Sequence, residues 1–236
     1  MKIELKEKPK NPIIIEGFPG YGLVSTIATG YLVDHLKARP IGKLWVKEMK
    51  PLAIIEDFKV IRPLQIFYSK KHNIVILQAL TPVSSFEWQI ADALIQICHE
   101  LKAKELISIE GVGPATTGEL KTFYFTTNAD RKAAFEKMGI KPLGHGIILG
   151  VTAALLSRIP IGVPLSFIFA EAHSMLPDSR AASEIVKVLS AYLGIKIDYK
   201  PLIKEAEKFE DRVKSLIEKS TRAARAKRLR ELTYLG

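Results

Sequence analysis

Ile13-Ile14-Ile15-Glu16-Gly17-Phe18-Pro19-Gly20-Tyr21-Gly22 is the stretch whose reading decides the fold. Three β-branched residues in succession mark a buried strand. Gly17, Gly20 and Gly22 then break it, and Leu23, Ile27, Ala28, Tyr31, Leu32, His35 and Leu36 follow at helical spacing. Strand, glycine turn and helix in that order are the opening unit of an α/β domain.

The same alternation continues outward. Residues 74–80 and 106–110 read as buried strands, and 165–170 as another. The helix over 86–101 between the first two has Phe86, Ile90, Ala93, Leu94, Ile97 and Leu101 on one face. Residues 52–55 and 65–68 are short candidate strands that suggest antiparallel additions. Residues 123–126 add a further strand candidate and 130–138 a helix, while 151–157 fit either type. Ser179 is a candidate N-cap for a helix over 180–193, with Gly194 as its stop. This order predicts an α/β three-layer sandwich around a mainly parallel sheet.

The 236 residues carry a net charge of +10, with 47% apolar and 25% charged residues. That composition supports a sizeable core. Residues 200–236 hold 11 Lys or Arg against 6 Asp or Glu, which is half of the net charge. The single cysteine, Cys98, excludes an intrachain disulfide framework. The N-terminus shows no signal-peptide pattern, and no apolar run approaches the ~18 residues of a membrane span. A cytoplasmic protein without membrane contact is the expectation.

The carboxyl-terminal stretch departs from the body. Two units are expected, a globular body over 1–195 and a projecting helical extension over 196–236. Leu202, Ala206, Phe209, Val213 and Leu216 step by four and three, the seam of a long helix that packs against another surface. With Ile203 and Ile217, the large apolar residues of this seam would forfeit roughly 9–18 kcal/mol if left in water. The body itself, a sister subunit or a client must cover them. Beyond Leu216 the basic residues Lys219, Arg222, Arg225, Lys227, Arg228 and Arg230 form a stalk. Leu229, Leu232, Tyr234 and Leu235 close the chain as an apolar tip. Leucine and aromatic anchors flanked by arginine suit a partner's pocket. The stalk lacks the interleaved aromatics that stack on bases, so nucleic acid is not the expected partner.

Other motifs have two readings. The loop at Gly17, Gly20 and Gly22 precedes a helix, where bare N–H groups can hold a phosphate. It matches no phosphate-loop or dinucleotide pattern, and Pro19 removes one donor, so a tight turn is the competing reading. Gly111 to Glu119 also follows a strand, and Gly113, Thr116, Thr117 and Glu119 can line a cleft or an ordinary turn. His35, His72, His99, His145 and His173 show no metal-ligand spacing, so no metal is expected. Glu171, His173 and Asp178 form the one polar loop cluster suited to acid–base work. Cys98 lies beside apolar helix positions and reads as an inert buried thiol.

Three motifs carry a family resemblance: Gly17-Phe18-Pro19-Gly20-Tyr21-Gly22, Gly150-Val151-Thr152-Ala153-Ala154-Leu155-Leu156, and Met175-Leu176-Pro177-Asp178-Ser179-Arg180-Ala181-Ala182. In this order they resemble the proteasome assembly chaperone two family in its archaeal form, over most of residues 10–215. The resemblance implies a body similar to the nucleoside phosphorylase fold, homo-oligomerisation and no cofactor. It also implies ATP-independent holding of proteasome subunits, with α-subunits as partners and no catalysis. Members often end in a hydrophobic-Tyr-any motif, whereas this chain ends Thr233-Tyr234-Leu235-Gly236. The competing functions are an enzyme for a nucleoside or another phosphorylated ligand, using the glycine loops, and nucleic-acid binding by the basic tail.

Overall fold

A computed structural model describes residues 1–46, 49, 53–56, 58–113, 120–173, 175–204, 214, 215 and 217–219. The strands are β1 (Lys2–Leu5), β2 (Ile13–Gly17), β3 (Arg39–Trp45), β4 (Ile54–Glu56), β5 (Lys59–Ile61), β6 (Leu64–Ser69), β7 (Ile74–Ala79), β8 (Glu105–Val112), β9 (Thr122–Thr126), β10 (Lys141–Pro142) and β11 (Leu165–Glu171). The helices are α1 (Val24–His35), α2 (Glu87–Glu100), α3 (Ala129–Lys137), α4 (Gly150–Leu156), α5 (Ser179–Leu193) and α6 (Lys200–Lys204).

Nine strands form one sheet in the order β1-β3-β6-β7-β2-β8-β11-β9-β10, and β4 pairs with β5 alone. The central run β7-β2-β8-β11 is parallel throughout. The flanks β1-β3-β6 and β9 join it antiparallel, as the sequence suggested for 65–68. Central parallel strands are covered on both faces and therefore read as continuous apolar runs. Every residue of β7 is buried.

Two core clusters make the three layers. On one face α2 and α4 close over Ile14, Leu77, Leu106 and Phe167. On the other, α1, α3 and α5 close over Ile15, Ile76, Ile107 and Ile168. The alternation along each strand sends successive side chains to opposite faces, so one sheet feeds both cores. The undecided segment at 151–157 is helix α4, whose Val151, Ala154 and Leu155 face the first core.

Asp178, not Ser179, caps α5: its Oδ1 accepts from the Ala181 N–H at 2.9 Å. Gly194 ends that helix at φ 64°, where a side chain is strained. Ile197 and Leu202 are buried in the second core, and Ile217 packs against it, partly buried. The seam positions Ala206, Phe209, Val213 and Leu216 lie outside the described residues, as does the stretch from Ser220 to Gly236. No helix among the described residues is long and apolar enough to cross a membrane.

Candidate functional site

The glycine turn lies at the C-terminal end of β2, at the edge where open α/β sheets place ligands. Each glycine meets a different neighbour. Gly17 lies under α1, and a Cβ there would stand 3.0 Å from the Ser25 carbonyl carbon. Gly22 adopts φ 62° and turns the chain into α1, and its carbonyl accepts from the Asp178 N–H at 2.9 Å. Gly20 faces the end of β8, where the Glu110 carboxylate leaves no room for a side chain. Ser25 Oγ ties the turn down by donating to the Phe18 carbonyl at 2.5 Å.

The chemistry beneath this turn comes from two glutamates that the sequence reading passed over. Glu16 lies opposite Ser108 in the parallel β2–β8 register, and Glu110 is two residues further along β8. All three point to the face covered by α4. Ser108 Oγ donates to Thr152 Oγ1 at 3.2 Å, and Thr152 Oγ1 donates to Glu110 Oε2 at 3.1 Å. A hydrogen bond with Glu16 extends this row to four side chains.

Burial pushes the Glu16 carboxyl up to about 8, against the pull of its bond to Ser108 and with a further push from the nearby Glu110. Glu110 is pushed up to about 7, again chiefly by burial. The Thr152 hydroxyl and the backbone N–H groups of Gly111 and Tyr21 work the other way. Two carboxyls this close divide the roles: one keeps its proton while the other stays charged. The stronger upward push falls on Glu16, so Glu16 is the one that keeps its proton, while Thr152 donates to an ionised Glu110. Glu16 Oε1 has no hydrogen-bond partner among the described residues. That unpaired oxygen is better tolerated on a neutral acid than on a buried carboxylate.

The other sequence candidates separate. Gly113 has open space where a Cβ would lie, while Thr116, Thr117 and Glu119 fall outside the described residues. Glu171, His173 and Asp178 do not form one acid–base group. Glu171 Oε2 accepts from the Lys121 N–H at 3.2 Å, whereas Asp178 Oδ2 accepts from the His173 N–H at 3.0 Å and meets its Nδ1 at 2.7 Å. Burial works to raise the Asp178 carboxyl, but the Ala181 and His173 amides and the His173 ring outweigh it and hold the group below its usual range. His35 stacks on Tyr31 with ring centroids 5.6 Å apart, and His99 Nε2 meets the Ile161 carbonyl at 2.8 Å. Cys98 is buried and its thiol is pushed up to about 12 by that burial, in keeping with an inert core residue.

Of the arm, Leu202 is placed in the second core, and the partner-binding candidates Arg222, Arg225, Arg228, Leu229, Leu232, Tyr234 and Leu235 lie outside the described residues.

Known proteins share this fold. The crystal structure of Pyrococcus furiosus PbaA, an archaeal homolog of proteasome-assembly chaperone, superposes with a TM-score of 0.84. It is 27% identical, over 94% of this chain and 100% of that one. Pyrococcus furiosus PbaB, an archaeal proteasome activator, shares the fold with a TM-score of 0.73 at 22% identity, over 91% of this chain and 98% of that one. An uncharacterized protein of Methanocaldococcus jannaschii is 26% identical over 211 residues, 89% of this chain and 87% of its own. Residues 14–217 match the sequence model of the PAC2 family, which takes in the glycine turn, the glutamate row and the base of the arm, and the chain belongs to that family.

Proposed function

We propose that this chain is an ATP-independent chaperone of the proteasome-assembly type. It works as a homo-oligomer and holds proteasome α-subunits with its C-terminal extension, residues 196–236. The observation that carries this reading is the likeness to PbaA, which runs over 94% of the chain. In this reading the body supplies the oligomer, and Leu202 and Ile217 hold the base of the arm. The basic stalk at Arg222, Arg225 and Arg228 steers the chain toward acidic surfaces, and Leu229, Leu232, Tyr234 and Leu235 make the apolar grip.

The competing reading, an enzyme for a phosphorylated ligand, needs an anion seated on the glycine turn. There the protein supplies its own anion. The Glu110 carboxylate sits against Gly20 and takes up the Tyr21 N–H. A phosphate would have to displace a carboxylate and then share the site with its charge. In this chain the turn therefore carries its own carboxylate where a phosphate would need open donors.

The test removes residues 219–236 and measures binding to isolated proteasome α-subunits by calorimetry, with the folded body checked by circular dichroism. A loss of at least tenfold in affinity is expected. Unchanged affinity overturns the arm as the grip. In parallel, a melting point that rises with phosphate or nucleotides at millimolar concentration would favour the enzyme.

A further inference from the structure

Most of the large hydrophobic side chains that stand exposed among the described residues gather at one end of the sheet. Phe125 and Ile203 stand away from it. The sheet register and the order of the elements place the others. Trp45 ends β3, which runs antiparallel to β6; β6 begins at Leu64, opposite Ala79 at the C-terminal end of β7. The β4–β5 hairpin connects those two strand ends, and its Ile54 packs with Leu80, just past β7. Trp88 lies in the first turn of α2, which starts from the same end. Leu149 precedes α4, whose Thr152 reaches Glu110 near the end of β8. Met175 follows the end of β11, three residues before Asp178 bonds the glycine turn.

The hairpin is the telling part. A two-stranded ribbon alone is marginal in water and needs a packed face. Ile54 and Ile61 give it one face against Leu80. Its other face carries the cross-strand pair Ile55 and Val60, with Phe58 at the tip fully exposed. An element built this way cannot wait uncovered for an occasional client, because its own order depends on the cover.

We propose that this apolar end of the sheet, centred on the β4–β5 hairpin, is the face through which copies of this chain associate. The proposal deepens the oligomeric reading above and rests on it. The exposed side chains at this end present on the order of 1,000 Å² of surface, against ~800 Å² per partner in a stable complex and 300–600 Å² for the largest patch on an ordinary monomer. Obligate self-association surfaces are the apolar ones, and a second copy is the one partner always present at the chain's own concentration. Charge gives an independent signature. Each copy carries +10, so copies repel, and their association should strengthen with salt. Capture of an acidic client by the basic arm should weaken with salt instead.

The test uses the full chain at about 10 μM and reads mass by light scattering after size exclusion, at low and at 0.5 M salt. The wild type is expected at a multiple of 26.3 kDa, with the multiple held or raised in high salt. Phe58→Asp combined with Ile55→Lys is expected to run as a monomer, and Trp88→Ser to shift toward one. Ile203→Asp, away from this end, should keep the wild-type mass. Melting curves identify any variant that fails to fold, and the Trp88 variant then decides. A monomeric wild type, or hairpin variants that keep the full mass, overturns the proposal. Hairpin variants that keep their mass but lose α-subunit binding also overturn it, since the face would then dock the client. Deletion of 219–236 tests the grip alone: loss of α-subunit binding at unchanged mass leaves this proposal standing, so the two readings fail separately.

Discussion

Gly20 lies flat against Glu110: a Cβ at position 20 would stand 2.8 Å from the carboxylate carbon and closer still to Oε1. A long glutamate can often swing aside from such a methyl. This one is held by Thr152 Oγ1 and by the amides of Gly111 and Tyr21. Gly20→Ala is therefore expected to cost about 1–3 kcal/mol, as overpacking does. Glu110→Ala opens the space, so the double variant should recover part of that loss. Denaturant melts of the four chains measure the coupling, and strictly additive effects would show that the two residues do not meet.

The Glu16 carboxyl gives a pH signature. Its folded value of about 8 lies above its unfolded value of 4.5. The folded chain thus keeps a proton that the unfolded chain has released. The stability tied to it is full below 4.5 and is lost as pH rises through 8, at about 1.4 kcal/mol for each pKa unit. Glu16→Gln imitates the neutral acid at every pH. The melting temperature of E16Q minus that of the wild type should be small at pH 4.5 and grow toward pH 9. A difference that does not change with pH would mean that Glu16 carries no proton in the fold.

What the sequence made legible follows from period. The β-branched run at Ile13 and the one-sided stripe of α2 repeat over enough residues to be read alone. The strand β3 does not: Pro40 and Gly42 interrupt it at a register shift, and it takes its place only by pairing with β6 and β1. The hairpin of β4 and β5 is too short to show a period. The glutamate row was missed because its members stand far apart in the chain and meet only through the β2–β8 register. A signal was present nonetheless. A glutamate closing an Ile-Ile-Ile run, and another closing Ile-Ser-Ile, are charged residues in strands that read as buried on both faces, where a charge is costly unless partnered. Ser179 reads as the cap from sequence because serine is a good one. Asp178 is as good, and one residue earlier its carboxylate also reaches His173.

Asp178 ties the loop after β11 to the start of α5. Asp178→Ala removes the cap of Ala181 and the partner of the His173 amide together, and is expected to cost about 1–2 kcal/mol. Asp178→Asn keeps an oxygen acceptor and should cost less. The folded carboxyl lies below its ordinary value of 3.8, so its contribution is present above that value and is lost as pH falls through the lower, folded one. The gap between wild type and D178N, followed by thermal melts from pH 6 down to pH 2, should therefore close on the acid side.

Leu202 is 2% exposed within the core that α1 and α5 share, and Ile217 packs against the same core. Nearby, Tyr31 Oη donates to the Asp198 carbonyl, so the link between α5 and α6 is fastened to α1. Leu202→Ala should then cost about 2–5 kcal/mol, the range for a buried leucine that leaves a cavity. If α6 opens as a local unit, the loss appears as faster amide exchange at Lys200–Lys204 before the body melts. Tyr31→Phe should loosen the same segment by a smaller amount, since it removes one hydrogen bond and leaves the ring stack on His35 intact. Exchange at α6 unchanged by Leu202→Ala would show that this leucine does not anchor α6 to the core.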